Sequence, residues 1–438
     1  MKKFIILFVV LCFSHSAFAA DYTQGELSNN LHYIIYKTAQ LPIVSVNIKI
    51  KAGSYFDRIG KFGESYITAK ALSECSTKHL SSDALKQKID ALGIEISTSS
   101  NKEFININAK SLSCNAEKMF YIISEMLHSK FDEKNLNFVK RDAINLIKSL
   151  QNDKDYLALH SSFTNLISQP EYYHTSVGLI KDIKKISKRD IESFYNRYFN
   201  AENMVVSVSG NGFKEKDIKH LLSRYFSFIK KGKVYNFKKL EFKKGKFFED
   251  RVKKVQQSYI YISYPSFGVN DKRHYAADVL AFILGGNLNS VLSKNVRTKH
   301  GYAYSVFSFN YKLSRGGLFV VGLQTQNKFT VDAIKEVFFD IKNIKKYLTK
   351  DRIKGAKTYL IGSKTISLQS SLNIANSFSS IYMMNINSIP WKYYKREIEN
   401  VSRKDVLLVA DKIFKSGISI GVVSDKNYKL RLKDILEK

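Results

Sequence analysis

The chain has 438 residues, 44% of them hydrophobic and 13% aromatic, with 4 prolines and 21 glycines. That length and apolar content support a large core divided over two or more domains, and they exclude a disordered or collagen-like chain. The formal charge is +31; the lysines run along the whole chain without a nucleic-acid motif, so no nucleic-acid partner is expected, while peripheral contact with an anionic membrane stays open.

Met1-Lys2-Lys3, the apolar run Phe4 to Phe13 and the small-residue sequence Ala17-Phe18-Ala19 form a secretory signal pattern, with cleavage expected after Ala19. The apolar run is shorter than the ~20 residues of a spanning helix, so the expected location is the periplasm. Cys12 leaves with residues 1–19; Cys75 and Cys114 remain. They fit either a disulfide or two separate thiols, and their spacing fits no metal site.

Ile43 to Ile50 alternates apolar and polar residues, which predicts a half-buried strand. A turn around Gly53 precedes a helix from Gly63 to Glu74. Leu85 to Leu92 reads as a short helix, Glu95 to Ala109 as two strands meeting near Ser99 to Lys102, and Ala116 to His128 and Glu133 to Leu150 as longer helices. A further helical region follows Asp155. Lys188 to Tyr195 and the strand Met204 to Ser209 close the first half.

The lysine-crowded stretch from Ile229 to Lys254 reads as a connection, or else as a charged surface strand of one half. Ser258 to Tyr264 then predicts a strand, Tyr275 to Val296 a helix interrupted near Gly285-Gly286, and Tyr302 to Leu313 with Leu318 to Gln326 a hairpin around Gly316-Gly317. Helices from Val331 to Tyr347 and Asp351 to Ile361 precede a last strand, Ile418 to Val423. Strand, helix, hairpin, helices, strand thus occurs twice. The expected fold is α+β: two related sandwich domains, each a mainly antiparallel sheet with helices covering one face, forming a clam-like pair. The expected division is a signal peptide over 1–19, an N-terminal domain over 20–230, a basic linker over 231–254 and a C-terminal domain over 255–438.

Catalytic machinery is hard to find. His32, His79, His128, His160, His174, His220, His274 and His300 include no H-x-x-E-H or H-x-x-x-H pair that would set two imidazoles one helical turn apart, so no metal ligand is assigned. G-x-S-x-G, G-x-G-x-x-G and the P-loop lysine pattern are also absent from the sequence.

Three stretches nevertheless carry a family pattern. The first is Ala52-Gly53-Ser54-Tyr55-Phe56-Asp57 with Gly63 and the helix to Glu74. The second runs from Tyr173-His174-Thr175-Ser176-Val177-Gly178 through Ile183 to Ile191, Phe194 to Phe199 and Asn203 to Gly210. The third is Leu284-Gly285-Gly286 with Leu292, then Val296-Arg297-Thr298-Lys299-His300-Gly301-Tyr302-Ala303-Tyr304-Ser305-Val306. In this order they resemble the insulinase/mitochondrial processing peptidase family of pitrilysin-type zinc peptidases.

The resemblance implies an inverted zinc motif after Gly63, but Tyr66, Ala69 and Lys70 stand where H-x-x-E-H belongs. Near the place of the family's third ligand, a later Glu, are Asn145, Leu146 and Ile147. Water activation by this chain is therefore not expected. Arg297 and Tyr304 match the Arg and Tyr that the family's C-terminal half contributes to the site: a phenol can donate to an oxyanion, and a guanidinium can hold a substrate carbonyl or carboxylate. By strand alternation Tyr302 shares Tyr304's face and is the alternative. The bland alternative for Arg297 and Tyr304 is a helix-end cation and a strand aromatic.

The resemblance thus implies a non-catalytic, substrate-binding subunit of a heterodimeric zinc peptidase, with no cofactor in this chain and zinc in the homologous partner. Its substrates would be peptides or small unfolded proteins in the periplasm. The alternative is a peptide-binding or envelope-associated structural protein that uses the fold without catalysis.

Overall fold

The alternating segment Ile43–Ile50 does become a strand, but not a half-exposed one. Val44, Val46, Ile48 and Ile50 enter the apolar core, while Ser45 and Asn47, on the other face, are equally buried and Lys49 keeps only 9% exposure. The computed structural model describes residues 22–39 and 41–428, and it shows that the polar face lies under a helix contributed by the opposite half of the chain. The expected signal peptide, 1–19, lies outside the described residues.

In the N-terminal half, β1 (Thr23–Glu26), β2 (His32–Lys37), β3 (Ile43–Ile50), β4 (Glu95–Ser100), β5 (Ile105–Leu112) and β6 (Met204–Gly210) form one sheet in the order β1-β2-β6-β3-β5-β4. Its helices are α1 (Glu64–Glu74), α2 (Ser82–Ala91), α3 (Ala116–Leu127), α4 (Glu133–Asn152), α5 (Lys154–Thr164), the single turns α6 (Pro170–Tyr173) and α7 (Ile180–Ile183), α8 (Lys188–Tyr198) and α9 (Glu215–Phe226). In the C-terminal half, β7 (Lys246–Val252), β8 (Gln257–Ser266), β9 (Ala303–Leu313), β10 (Gly316–Gln326) and β11 (Ile418–Ser424) form a second sheet in the order β7-β11-β8-β10-β9. Its helices are α10 (Arg273–Gly285), α11 (Thr330–Lys342), the turn α12 (Ile344–Tyr347), α13 (Lys350–Ser367), α14 (Ser371–Met383), α15 (Pro390–Asn400) and α16 (Arg403–Phe414).

Apart from β1 the two sheets share one topology. β2 runs parallel to β6 and β7 parallel to β11; the other pairs are antiparallel. The repeat extends to helix chemistry. Ser187 and Asp190 form a capping box at the start of α8, and Ser402 and Asp405 form its counterpart on α16; each satisfies orphan amides of the first turn.

Two expectations need correction. The segment 231–254 is not simply a linker: Lys246–Val252 is the edge strand β7, and Phe237 and Leu240 before it are buried between the halves. The alternative reading, a charged strand of one half, describes 246–252. Nor are helices confined to one face of each sheet. α5 of the N-terminal half packs on β8 and β11, and α14 of the C-terminal half packs on β3 and β6, so the face each sheet turns toward the other half is filled by a helix from that half. Cys75 is buried, its thiol pushed up to about 12 by burial, and Cys114 is exposed; both are unpaired.

Candidate functional site

The motif residues around α1 form a rigid entry to that helix. Asp57 accepts the amides of Gly63 (2.7 Å) and Ser65 (2.8 Å), which caps the first turn and favours negative charge at the helix N-terminus. Gly63 has φ +115° and packs on Gly178, φ +102°; a Cβ at Gly178 would stand 2.2 Å from the Phe62 carbonyl oxygen. Both positions therefore require glycine. His174 stacks on Phe62 (ring centroids 4.0 Å apart) and sets its Nε2 3.6 Å from Asp57. These motif residues are used for architecture: they fix where α1 starts and which face it shows.

That face carries no metal site. Ala69 is wholly buried, and Ile147 on α4 is buried in the same apolar cluster. Tyr66 packs against this cluster from its edge, and burial together with the Asp142 carboxylate holds its phenol above the ordinary range, which disfavours a phenolate. Lys70 is partly exposed, and Asn145 and Leu146 turn to solvent. Zinc needs imidazole, thiolate or carboxylate donors; the α1–α4 seam offers a protonated phenol, a methyl, an ammonium and an isoleucine. Zinc does not fit it, and among the described residues no three His, Cys, Asp or Glu side chains gather as a metal site. Asp142, which sequence reasoning missed, is the carboxylate that α4 brings near Tyr66. It lies a helical step before Asn145, and a search for any acid at i−3, not only for Glu, would have found it.

Arg297 and Tyr304 are differently placed. Arg297 is exposed on a π-helical turn, Ser293–Lys299, pinned from below where Asn295 donates to Asp340 (2.6 Å) beside the Tyr347 hydroxyl. The chain then reverses, with the Gly301 amide donating to the Arg297 carbonyl (3.1 Å), and enters β9. Ser305 pairs with Gln324 and Ala303 with Thr325, which leaves Tyr304 as the extra residue of a β-bulge. Bulges re-aim side chains, and Tyr304 stands 74% exposed. The same bulge breaks the alternation that made Tyr302 its alternative: Tyr302 stacks on His300 (5.1 Å) and packs against Phe329 (5.5 Å).

Residues 33–167 match the model of the insulinase family, peptidase family M16, and residues 185–360 match that of the peptidase M16 inactive domain. The chain belongs to peptidase family M16. This M16 chain is 22% identical to an "uncharacterized zinc protease" of Rickettsia bellii (strain RML369-C), across 93% of this chain and 98% of that protein. It is also similar to two proteins of Helicobacter pylori (strain ATCC 700392 / 26695): the "non-peptidase homolog YmxG", 24% identical over 93% of this chain and 94% of the relative, and the "zinc protease PqqE", 22% identical over 85% of each. Among solved structures, a peptidase M16 inactive domain from Pseudomonas fluorescens superposes with a TM-score of 0.85 at 19% identity, covering 93% of this chain and 99% of that one. On the α1–α4 seam of this M16 chain Tyr66, Ala69 and Lys70 thus stand in place of H-x-x-E-H, with the Asp142 carboxylate near Tyr66, and the match to the M16 inactive domain and to a non-peptidase homolog supports a non-catalytic member of the family.

Proposed function

We propose that this M16 chain is the substrate-binding, non-catalytic subunit of a zinc-dependent peptidase pair, exported to the periplasm and acting on peptides or small unfolded proteins. The observation that carries the reading is Tyr304: a phenol held 74% exposed on a bulge, with an exposed Arg297 on the turn that feeds its strand. Leaving a large aromatic in water is unfavourable by area alone, and a bulge maintained to present it is the kind of feature retained for contact with something outside the chain. A phenol and a guanidinium are the groups that would hold a scissile carbonyl and donate to its oxyanion. The zinc and the water it activates belong to the partner. That one organism carries both a non-peptidase relative and a zinc-protease relative of this chain supports the pairing, and the signal pattern over residues 1–19 supports export.

The test is peptide hydrolysis by the purified chain, by an M16 protein of the same organism with an intact H-x-x-E-H motif, and by their mixture, each with and without chelator. Chelator-sensitive turnover that needs both proteins supports the proposal. A folded mixture that binds peptide without cleaving it favours the second reading, a peptide-binding or envelope-associated protein, for which the charge of +31 is the motive.

A further inference from the structure

The N-terminal half carries a concave cleft of about 970 Å³ that shares no residue with the α1–α4 seam positions or with Arg297 and Tyr304. It is lined by the end of α3 and its following loop, by one face of α8, and by the segment Phe228–Tyr235 that leaves α9. Lys78 and Lys130 enter it from two loops tied together by a Thr77–Ser129 bridge. Lys230, Lys231 and Lys233 enter it from the lysine-rich segment, whose charge the fold leaves unexplained. None of these five lysines forms an ion pair among the described residues; the acid on the wall, Glu192, faces Lys188 at 3.7 Å. The Glu202 carboxylate, which reaches the segment, already accepts the Gly232 amide (2.5 Å) and the Asn30 side chain (3.1 Å).

Beneath the lysines the lining is aromatic. Phe228, 40% exposed, lies against the His128 ring at 3.8 Å, and Phe131 holds a left-handed φ of +47° while packing on Tyr195. Unpaired cations drawn into one concavity repel each other, and an anion entering it is attracted by the summed field. The five lysines are exposed, and a flat bilayer that met them would leave the concave aromatic wall unfilled, whereas an extended chain can reach both. We propose that this cleft binds an acidic segment of another polypeptide, its carboxylates meeting Lys78, Lys130, Lys230, Lys231 and Lys233 and an apolar side chain resting on Phe228.

The experiment is fluorescence anisotropy of a labelled Glu-Glu-Phe-Glu-Glu peptide with the full purified chain. Two separate variants test the cleft, Lys230→Glu/Lys231→Glu/Lys233→Glu and Lys78→Glu/Lys130→Glu. A third, Lys345→Glu/Lys346→Glu/Lys350→Glu, changes the charge as much as the first cleft variant and more than the second, on the exposed surface of the C-terminal half. Both cleft variants are expected to weaken binding by about tenfold or more, and the control by less than about twofold. Absence of saturable binding to the unaltered chain overturns the proposal, as does equal weakening by the control, which would mean net charge alone. So does binding of inorganic polyphosphate or phosphatidylglycerol vesicles that is lost in both cleft variants while the peptide fails to bind. Two cleft variants on different segments keep the result readable if one fails to fold.

Discussion

The Ser45 hydroxyl on β3 and the Ser371 hydroxyl on α14 lie 2.8 Å apart across the boundary between the halves, and Ser162 on α5 and Ser263 on β8 form the mirror contact, also 2.8 Å. Around the first, Asn108 accepts from Asn47 (2.8 Å) and from Asn376 (3.1 Å), Ser379 donates to Asn47, and Lys49 donates to Ser380 (3.0 Å). A buried polar interface is stable only when its members are satisfied. Asn108→Ala would take the acceptor from the Asn47 amide, while the Asn376 amide keeps the Leu372 carbonyl (3.0 Å), and an unsatisfied buried group costs about 1–3 kcal/mol. Urea denaturation should show a loss of at least that size; a change under about 0.5 kcal/mol would mean that this network does not hold α14 on the sheet.

The same interface explains what the sequence made legible and what it did not. Strands such as Ile43–Ile50 and the helices over Glu64–Glu74 and Glu133–Asn152 announce themselves because one face is apolar and meets its own half's core. α14 passes unnoticed in the sequence: Ile374 and Phe378 pack on Ile34 and Val205, but Ser371–Met383 is dense in Ser and Asn because part of the face it buries meets Ser45, Asn47 and Asn108, so apolar periodicity carries less of the signal. Period two in β3 was a sound guide to a strand and a poor one to its exposure. At the candidate site, Arg297 and Tyr304 could be named from motif order, but the bulge that separates Tyr304 from Tyr302 depends on β10's register and has no local signature.

A pH response is expected from Glu103. Its carboxylate, 4% exposed, accepts the Ser314 amide and hydroxyl from the hairpin turn of the other half, and burial pushes its pKa from 4.5 up to about 7. Between those values the folded state keeps a proton that the unfolded state has lost. The contribution to stability is thus complete below pH 4.5 and is lost as the pH rises through 7. From pH 5 to pH 8 the unaltered chain should lose up to about 3 kcal/mol more than Glu103→Gln. Parallel stability curves for the two proteins, by denaturation at each pH, would remove Glu103 as the titrating group.

Restoring the family's general base should harm rather than help. Ala69 has 0% exposure inside the N-terminal core, so Ala69→Glu buries a carboxylate without a partner, at a cost of several kcal/mol. Soluble expression should fall, or the melting temperature should drop by about 10 °C or more. The converse measurement is metal removal: with no donor set on the seam, dialysis against chelator should leave the melting temperature of the purified chain unchanged, because a ligand that is not bound cannot stabilise the fold. A chelator-induced drop would place a metal in this chain after all.

Tyr304 offers the sharpest separation of structure from function. Tyr304→Phe removes one hydroxyl from a ring that is 74% exposed, and exposed changes of this kind stay within about 0.5 kcal/mol. Stability should therefore not move. If the phenol donates to an oxyanion in the assembled pair, losing that donor lowers kcat by about a hundredfold or more while KM and assembly with the partner persist. Arg297→Ala, which takes away a group proposed to hold the substrate, should instead raise KM, with Arg297→Lys recovering little because the planar fork is lost. If both variants leave turnover of the pair intact, exposure at the bulge serves contact between subunits, and the groups that stabilise the transition state must come from the partner alone.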